Sequence, residues 1–315
     1  MIESFKKWTG AAGGKQTMTQ NAGDSNEITR EFLDSICIEE RLLNSDLADT
    51  GFDFFGHHYS TPIMSAAFSH LEDNGGVKLA RGFHKAGALN WWGMSGDEEI
   101  TAIYQEGPDT VRIIKPYADS SKVYHQIAQA LSFGAVGVGM DIDHAYSGNG
   151  TYDNVLGEEM RPVSTDQLSD YIKAAKGTPF IIKGVLSVHD AVMAKEAGAS
   201  AVVVSHHHGM IQYMVPPLAV LPDIRRAVGR RFKIYVDCGM DTAYDAFKAL
   251  ALGADGVCVS RSILEDLRSG GEEAVAARVG KMTGTLRTIM SRAGAGTLKD
   301  LSPEMLWFKE KYRKI

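Results

Sequence analysis

From about residue 60 onward, short runs of apolar and β-branched residues recur along the chain, each followed by a longer stretch whose apolar positions lie three and four apart. The short runs suit buried strands, and the longer spacing suits helices with one face on a core. The strand candidates are residues 62–66, 88–92, 111–115, 136–141, 180–183, 201–205, 233–237 and 256–260. Among the intervening segments, 120–133, 187–197 and 241–252 carry helical spacing, and the last is followed by Gly253, a residue suited to the left-handed position after a helix. Eight alternating units predict an α/β fold, a TIM (β/α)8 barrel with a parallel sheet. A doubly wound open sheet would show a glycine fingerprint after its first strand, whereas this first strand runs into Ala66-Ala67-Phe68-Ser69.

Outside the periodic region the pattern changes. Residues 1–30 are rich in Gly, Lys, Thr, Asn and Ser without a sustained apolar period, and read as an extended arm. The chain divides into an N-terminal arm and lead-in (1–55) and the barrel (56–315). Residues 144–162 are long for a strand-to-helix connection and contain Gly148, Gly150 and Gly157, the features of a flexible active-site loop. Residues 272–290 read as the closing helix and 301–312 as a short C-terminal helix on the outside. His57 and His58 precede the first strand, which puts them on the surface at the end of the barrel away from the site.

Composition narrows the function classes. With 315 residues, 44% hydrophobic and 23% charged, the chain can bury a full core, which excludes disorder and collagen. Acidic residues number 39 against 33 basic ones, for a net charge of −6, so a general attraction to nucleic acid or an anionic membrane is not expected. No run of eighteen apolar residues and no signal-peptide core occurs. Three cysteines, Cys37, Cys238 and Cys258, argue against a disulfide framework and for a reducing compartment. The expectation is a cytoplasmic protein acting on a small molecule.

In a TIM barrel the carboxyl ends of the strands face the active site. The strong polar residues of the predicted strands fall at that end: Asp141 and Asp143, Lys183, Ser205 to His208, Asp237 and Arg261. Lys183 leaves a buried strand and calls for an anion, the plainer alternative being a structural salt bridge to Asp141 or Asp237. Alternation allows one or two of His206, His207 and His208 to face the cleft, where a histidine serves best as a general base. A contiguous triplet is not a metal motif, and no metal is assigned. Asp237-Cys238-Gly239 and Ser260-Arg261-Ser262 end the last two strands, where barrels bind phosphate. Trp91 and Trp92 read as core before ring-stacking residues, and Cys238 as a packed residue before a nucleophile.

These residues resemble the flavin mononucleotide (FMN)-dependent α-hydroxy acid oxidases and dehydrogenases, from about Gly10 to the C-terminus. Phe180-Ile-Ile-Lys-Gly-Val185 is similar to the family's strand-five lysine motif and Val203-Val-Ser-His-His207 to its Ser-Asn-His-Gly-Gly-Arg motif. Asp237-Cys-Gly-Met240, Phe247-Lys-Ala-Leu-Ala-Leu-Gly-Ala-Asp255 and Ser260-Arg261 complete the likeness. Gly139-Met-Asp-Ile-Asp143 and the arm's Gly13-Gly14-Lys15 resemble a bacterial subgroup of α-hydroxy-acid oxidising proteins. The resemblance implies FMN as cofactor, His207 as the catalytic base and Lys183 as the residue facing the flavin N1 and O2. It implies that Asp237, Gly239, Ser260 and Arg261 hold the ribityl phosphate, and that Ala66, Ala67, Asn90 and Lys115 line the flavin. Relatives imply a homo-oligomer, a tetramer or octamer.

Departures from the family pattern bear on the substrate. The arginine that clamps a carboxylate after the catalytic histidine aligns with Met210, and a second arginine with Ser147 or a neighbour. The flavin-contacting glutamine aligns with Ile113, with Lys115 as substitute; a threonine aligns with Gly139 and a further arginine with Asp241. His206 and His208 replace the Asn and Gly around the base. Losing a bidentate arginine from a buried carboxylate site costs about 2–5 kcal/mol. Either His144, His206 or His208 supplies the cation when protonated, or the substrate lacks a carboxylate and loop 209–217 builds an apolar pocket. The second reading is preferred, giving an FMN-dependent oxidoreductase acting on the CH–OH group of an atypical hydroxyl or carbonyl substrate, with His144, His206, His208 and Met210 lining its site. The alternatives are a non-redox, isomerase-like FMN enzyme or a flavin-free phosphate-binding barrel.

Overall fold

The computed structural model describes residues 23–309 and the backbone of Arg313 and Lys314. Helix α1 (Ser25–Asp34) opens on an Asp24 cap whose carboxylate accepts from the Asn26 amide. It leads through β1 (Ile36–Ile38) to a hairpin of β2 (Phe52–Phe54) and β3 (His57–Tyr59). The barrel follows as β4 (Ile63–Ser65), α2 (Gly75–Lys85), β5 (Asn90–Trp92), α3 (Asp97–Glu106), β6 (Thr110–Ile114), α4 (Ser120–Ser132) and β7 (Gly137–Asp141). A small hairpin, β8 (Asn154–Val155) and β9 (Glu158–Glu159), precedes α5 (Thr165–Ala174) and β10 (Phe180–Val185). The second half runs through α6 (Val188–Glu196), β11 (Ala201–Val204), α7 (Pro217–Val228), β12 (Lys233–Val236), α8 (Ala243–Ala251), β13 (Gly256–Val259) and α9 (Ser262–Arg292).

All eight strand candidates form, in the parallel order β4-β13-β12-β11-β10-β7-β6-β5. The ring closes between β4 and β5 through the Ser65 amide on the Leu89 carbonyl and a bridge between Phe68 and Trp92. Period-two alternation fills the interior with Met64, Leu89, Trp91, Val111, Ile113, Ile181, Ala201, Val203, Tyr235 and Cys258. The β2–β3 hairpin plugs the amino-terminal mouth, with Phe54 against Trp91, Tyr235 and the Gly137 backbone. His57 and His58 are exposed on that hairpin. The outward residues pack under the helices in a second, larger cluster that includes Trp92. Both tryptophans are core, as their burial habit predicts.

The closing helix read over 272–290 forms, as the part of α9 beyond a kink at Gly271, whose φ of 60° no helical residue adopts. Two readings change. The arm read over 1–30 is helical from Ser25, and its Gly13-Gly14-Lys15 lies outside the described residues. No C-terminal helix spans 301–309: a 3₁₀ turn at Pro303–Met305 gives way to β14 (Leu306–Phe308), which pairs antiparallel with β1. An open strand edge beside an apolar triplet outcompetes a short helix. Among the described residues no helix is long and apolar enough to cross a membrane.

Candidate functional site

The alternation that fills the barrel with apolar side chains also builds its top layer. Lys115 continues the inward parity of Val111 and Ile113; Asp141, Lys183, Ser205, Asp237 and Ser260 do the same for their strands or the residue following them. All six are buried. Lys115 Nζ lies 2.7 Å from Asp141 Oδ2, and Lys183 Nζ lies 3.2 Å from Asp141 Oδ1 and 3.7 Å from Asp237 Oδ2. The structural salt-bridge reading of Lys183 is therefore realised, with both carboxylates. Burial opposes the Asp141 charge, yet Lys115, Lys183 and His207 hold its carboxyl well below the usual carboxylate range. Burial likewise opposes the Lys183 ammonium, and Asp141, Asp237 and Asp143 raise it above the ordinary lysine value. Lys115, facing a second ammonium, is lowered, chiefly by burial.

His207 completes this layer. Its Nδ1 lies 2.9 Å from Asp143 Oδ1, 3.4 Å from Asp141 Oδ1 and 3.3 Å from Lys183 Nζ, and its Nε2 lies 3.5 Å from His144 Nε2. Burial and Lys183 disfavour the imidazolium, but the two carboxylates win and raise its pKa above 6.5. Asp143 reaches Nδ1 because Gly184, at φ +90° in a bulge of β10, has no side chain; a Cβ there would stand 2.6 Å from the Asp143 carboxyl carbon. At Gly139 a Cβ would meet the Ile181 carbonyl at 2.3 Å, so the threonine of the family pattern has no room.

The histidine triplet does not alternate as a strand would. β11 ends at Val204, and His207 (φ 47°) and His208 (φ 62°) are left-handed, turning each imidazole to separate work. His206 is committed at both nitrogens, Nε2 to Thr29 Oγ1 at 2.8 Å and Nδ1 to the Gly209 amide at 3.0 Å. It anchors α1. His208 Nδ1 is buried without a partner, and burial with Arg261 nearby pushes its pKa down to about 4. His144 is pushed down to about 4 by burial and Lys115, and burial lowers His206 as well. Burial thus makes all three less basic than an ordinary histidine, which weighs against that reading. Met210 is half-buried, while Ile211 and Tyr213 of the same loop are exposed.

Other assignments place as follows. Ala66 and Ala67 lie at the same end of the barrel, with the Ala66 amide bonded to the Val259 carbonyl. Asn90 spends its amide on Ser65 and Thr110, which makes it a seam between strands. Cys238 is buried against Asp237 and Ser205; burial and the carboxylate push its thiol up, which suits a packed residue and not a nucleophile. Loop 144–162 carries the β8–β9 hairpin and reaches the site through His144 and Asp153.

Beside the charged layer lies a cavity of about 410 Å³ lined by Asn26, Thr29, Arg30, His206, Gly239, Asp241, Ser260, Arg261 and Ser262. Arg261 and the first turn of α9 face it, and the buried Ser262 Oγ lacks a partner, a donor set suited to a phosphate. Sequence reasoning missed the α1 residues of this wall; Asp24 three positions before Glu27 is the capping signature that would have shown the helix. It also left out of the site Asp143, noted only as a strand-end carboxylate, and Asp153, whose partners come together only in space. Asp141, Asp143, His144 and His207 bring ligand atoms within 4.8 Å of one another, but two ammonium groups already satisfy Asp141, and the array reads as a hydrogen-bonded network.

Comparison with known proteins agrees with this architecture. The profile of the family described as FMN-dependent dehydrogenase matches residues 4–171 and 153–308. L-lactate oxidase of Lactobacillus jensenii is 28% identical over 297 residues, 84% of this chain and 73% of that one. 2-Hydroxyacid oxidase of Dictyostelium discoideum is 23% identical over 340 residues, covering 96% and 86%. Among solved structures, a tyrosine-to-phenylalanine mandelate oxidase with a monooxide FMN adduct superposes with a TM-score of 0.80 at 25% identity, covering 94% of this chain and 93% of that one.

Proposed function

Because the chain belongs to the FMN-dependent dehydrogenase family, and is thus an FMN-dependent oxidoreductase acting on a CH–OH group, we propose that His207 takes the substrate's proton while Lys183 faces the flavin. The non-redox and flavin-free alternatives are not favoured by these likenesses. The residues fit the cofactor: the cavity with Arg261, Ser260, Gly239 and the unpartnered Ser262 Oγ accepts a phosphate, and Lys183 supplies positive charge in the adjoining layer. When bound, FMN supplies the acceptor for the two electrons leaving the substrate carbon.

The observation that carries the assignment is the double carboxylate on His207 Nδ1. Asp143 and Asp141 fix the ring and stabilise the imidazolium that proton abstraction creates, leaving Nε2 as the basic atom. Lys183 keeps Asp141 ionised, so the stabilising charge is present when the proton arrives. The reading of an atypical substrate is supported by the balance of this layer: Lys115 and Lys183 are both paired with carboxylates, and the three flanking histidines are held neutral or low. We infer a secondary alcohol or hydroxy-carbonyl compound whose group beside the reacting carbon is uncharged. An anaerobic screen of flavin bleaching, comparing 2-hydroxy acids with their amides and esters, tests it; faster bleaching by the acids overturns the uncharged-substrate reading.

The same reading takes residues 1–55 as a lead-in whose helix α1 covers the cofactor cavity of barrel 56–315, supported by Asn26, Thr29 and Arg30 in its wall. A reducing, cytoplasmic setting is supported by three free cysteines. Homo-oligomer formation is supported by the exposed Leu42, Leu43 and Leu47, and is read by light scattering.

A further inference from the structure

His207 is not the only imidazole aimed at the reacting position. His144, buried at the end of β7, meets it edge to face, with ring centroids 4.5 Å apart and the two Nε2 atoms 3.5 Å apart. The other nitrogen, His144 Nδ1, lies 3.1 Å from Asp153 Oδ2. Asp153 is held in place by its own backbone, its amide on the Ala145 carbonyl and its carbonyl receiving the Met160 amide. Its side chain is one-fifth exposed, while that of His144 is 6% exposed. The three groups therefore form a line from the buried base to the surface.

We propose that His144 and Asp153 form a proton exit for His207, with His144 as a relay and Asp153 as the positioning residue that opens to water. This rests on His207 as the base. Asp153 Oδ2 lies 3.1 Å from Nδ1, nearer than Asp141 Oδ2 at 3.9 Å from Nε2, and Asp141 is already paired with two ammonium groups; this selects the tautomer with Nδ1–H donating to Asp153, which leaves the His144 Nε2 lone pair facing His207. After abstraction the His207 Nε2–H bond breaks and a His144 Nε2–H bond forms, while His144 Nδ1–H breaks and Asp153 Oδ2–H forms. His207 ends neutral, and Asp153 passes the proton to water. Concerted transfer suits the site, because His144 is then never the cation that burial and Lys115 disfavour. The charged and titratable groups around the pair are Lys115 from β6, Asp141 and Asp143 from β7 and its end, Lys183 from β10, and His208 and Asp237 beyond. Asp153 joins them as the group on His144 Nδ1.

The test is ¹⁵N NMR of histidine-labelled holoenzyme, wild type, His144→Phe and Asp153→Asn, with anaerobic bleaching rates in parallel. Wild type should show His144 as the Nδ1–H tautomer. His144→Phe should lower the His207 midpoint by roughly half a unit or more, since its imidazolium loses an acceptor, and slow bleaching by about tenfold. Asp153→Asn, at a partly exposed position that folding tolerates, should do the same more weakly and release the tautomer preference. An Nε2–H tautomer in wild type, or an unmoved His207 midpoint in both variants, overturns the relay. Failure of the oxidoreductase reading would look different: no flavin, or no bleaching, with the His144 tautomer as described.

Discussion

Asp143→Asn removes the carboxylate nearest to His207 Nδ1 while keeping a side chain of the same size. Two unit charges about 4 Å apart interact by about 4 kcal/mol at an effective dielectric of 20. Asp143 stands at 2.9 Å, and burial and Asp141 raise its own pKa. Asp141 remains at 3.4 Å and retains part of the stabilisation. A fall of about 1–2 units in the His207 pKa follows, equivalent to about 1.4–2.7 kcal/mol. Two effects then oppose each other. A lower pKa makes more neutral base available at neutral pH, but the transition state loses imidazolium stabilisation, up to about tenfold to a hundredfold in the plateau rate. The signature is therefore a rising limb of kcat/KM that moves to lower pH together with a lower plateau at high pH. Bleaching rates measured anaerobically across pH, with the His207 titration followed by NMR, read both quantities. A limb that stays in place, or moves to higher pH, refutes the carboxylate's role in setting this base.

Gly184→Ala should reproduce part of that profile, because the added methyl displaces the Asp143 carboxyl, and should lower stability by about 1–3 kcal/mol for a left-handed alanine; a chemical denaturation midpoint equal to wild type would contradict it. Lys183→Met leaves Asp237 without its ammonium partner and Asp141 with Lys115 and His207, so about 3 kcal/mol of stability should be lost, seen as a lowered Tm. Arg261→Ala should weaken FMN binding by about tenfold or more in a fluorescence titration of the apoprotein while leaving the His207 midpoint in place; unchanged affinity would place the phosphate elsewhere.

Much of the barrel was legible in the sequence because a parallel sheet buried on both faces needs continuous apolar runs, and these announce themselves one strand at a time. The same local periodicity placed Lys115, Asp141, Lys183, Asp237 and Arg261 at one end, since strand-end position is a property of each run alone. What it could not do was pair them. That Lys183 shares Asp141 with Lys115 depends on three strands lying side by side, and a sequence separation of 42 between Asp141 and Lys183 carries no local mark of it. The turn at His207 and His208 defeated alternation because left-handed backbone is imposed by surroundings and favoured by no histidine sequence. The bonds of Asn90 and His206 were illegible for the same reason, their polar atoms being claimed by Thr110 and Thr29 from distant segments. By itself the sequence determined the fold, the inventory of charged groups and the end of the barrel they occupy, because those follow from short-range pattern. Only the tertiary structure decided which of those groups neutralise one another and which imidazole stands against carboxylates, because electrostatic coupling depends on distance in space and on burial.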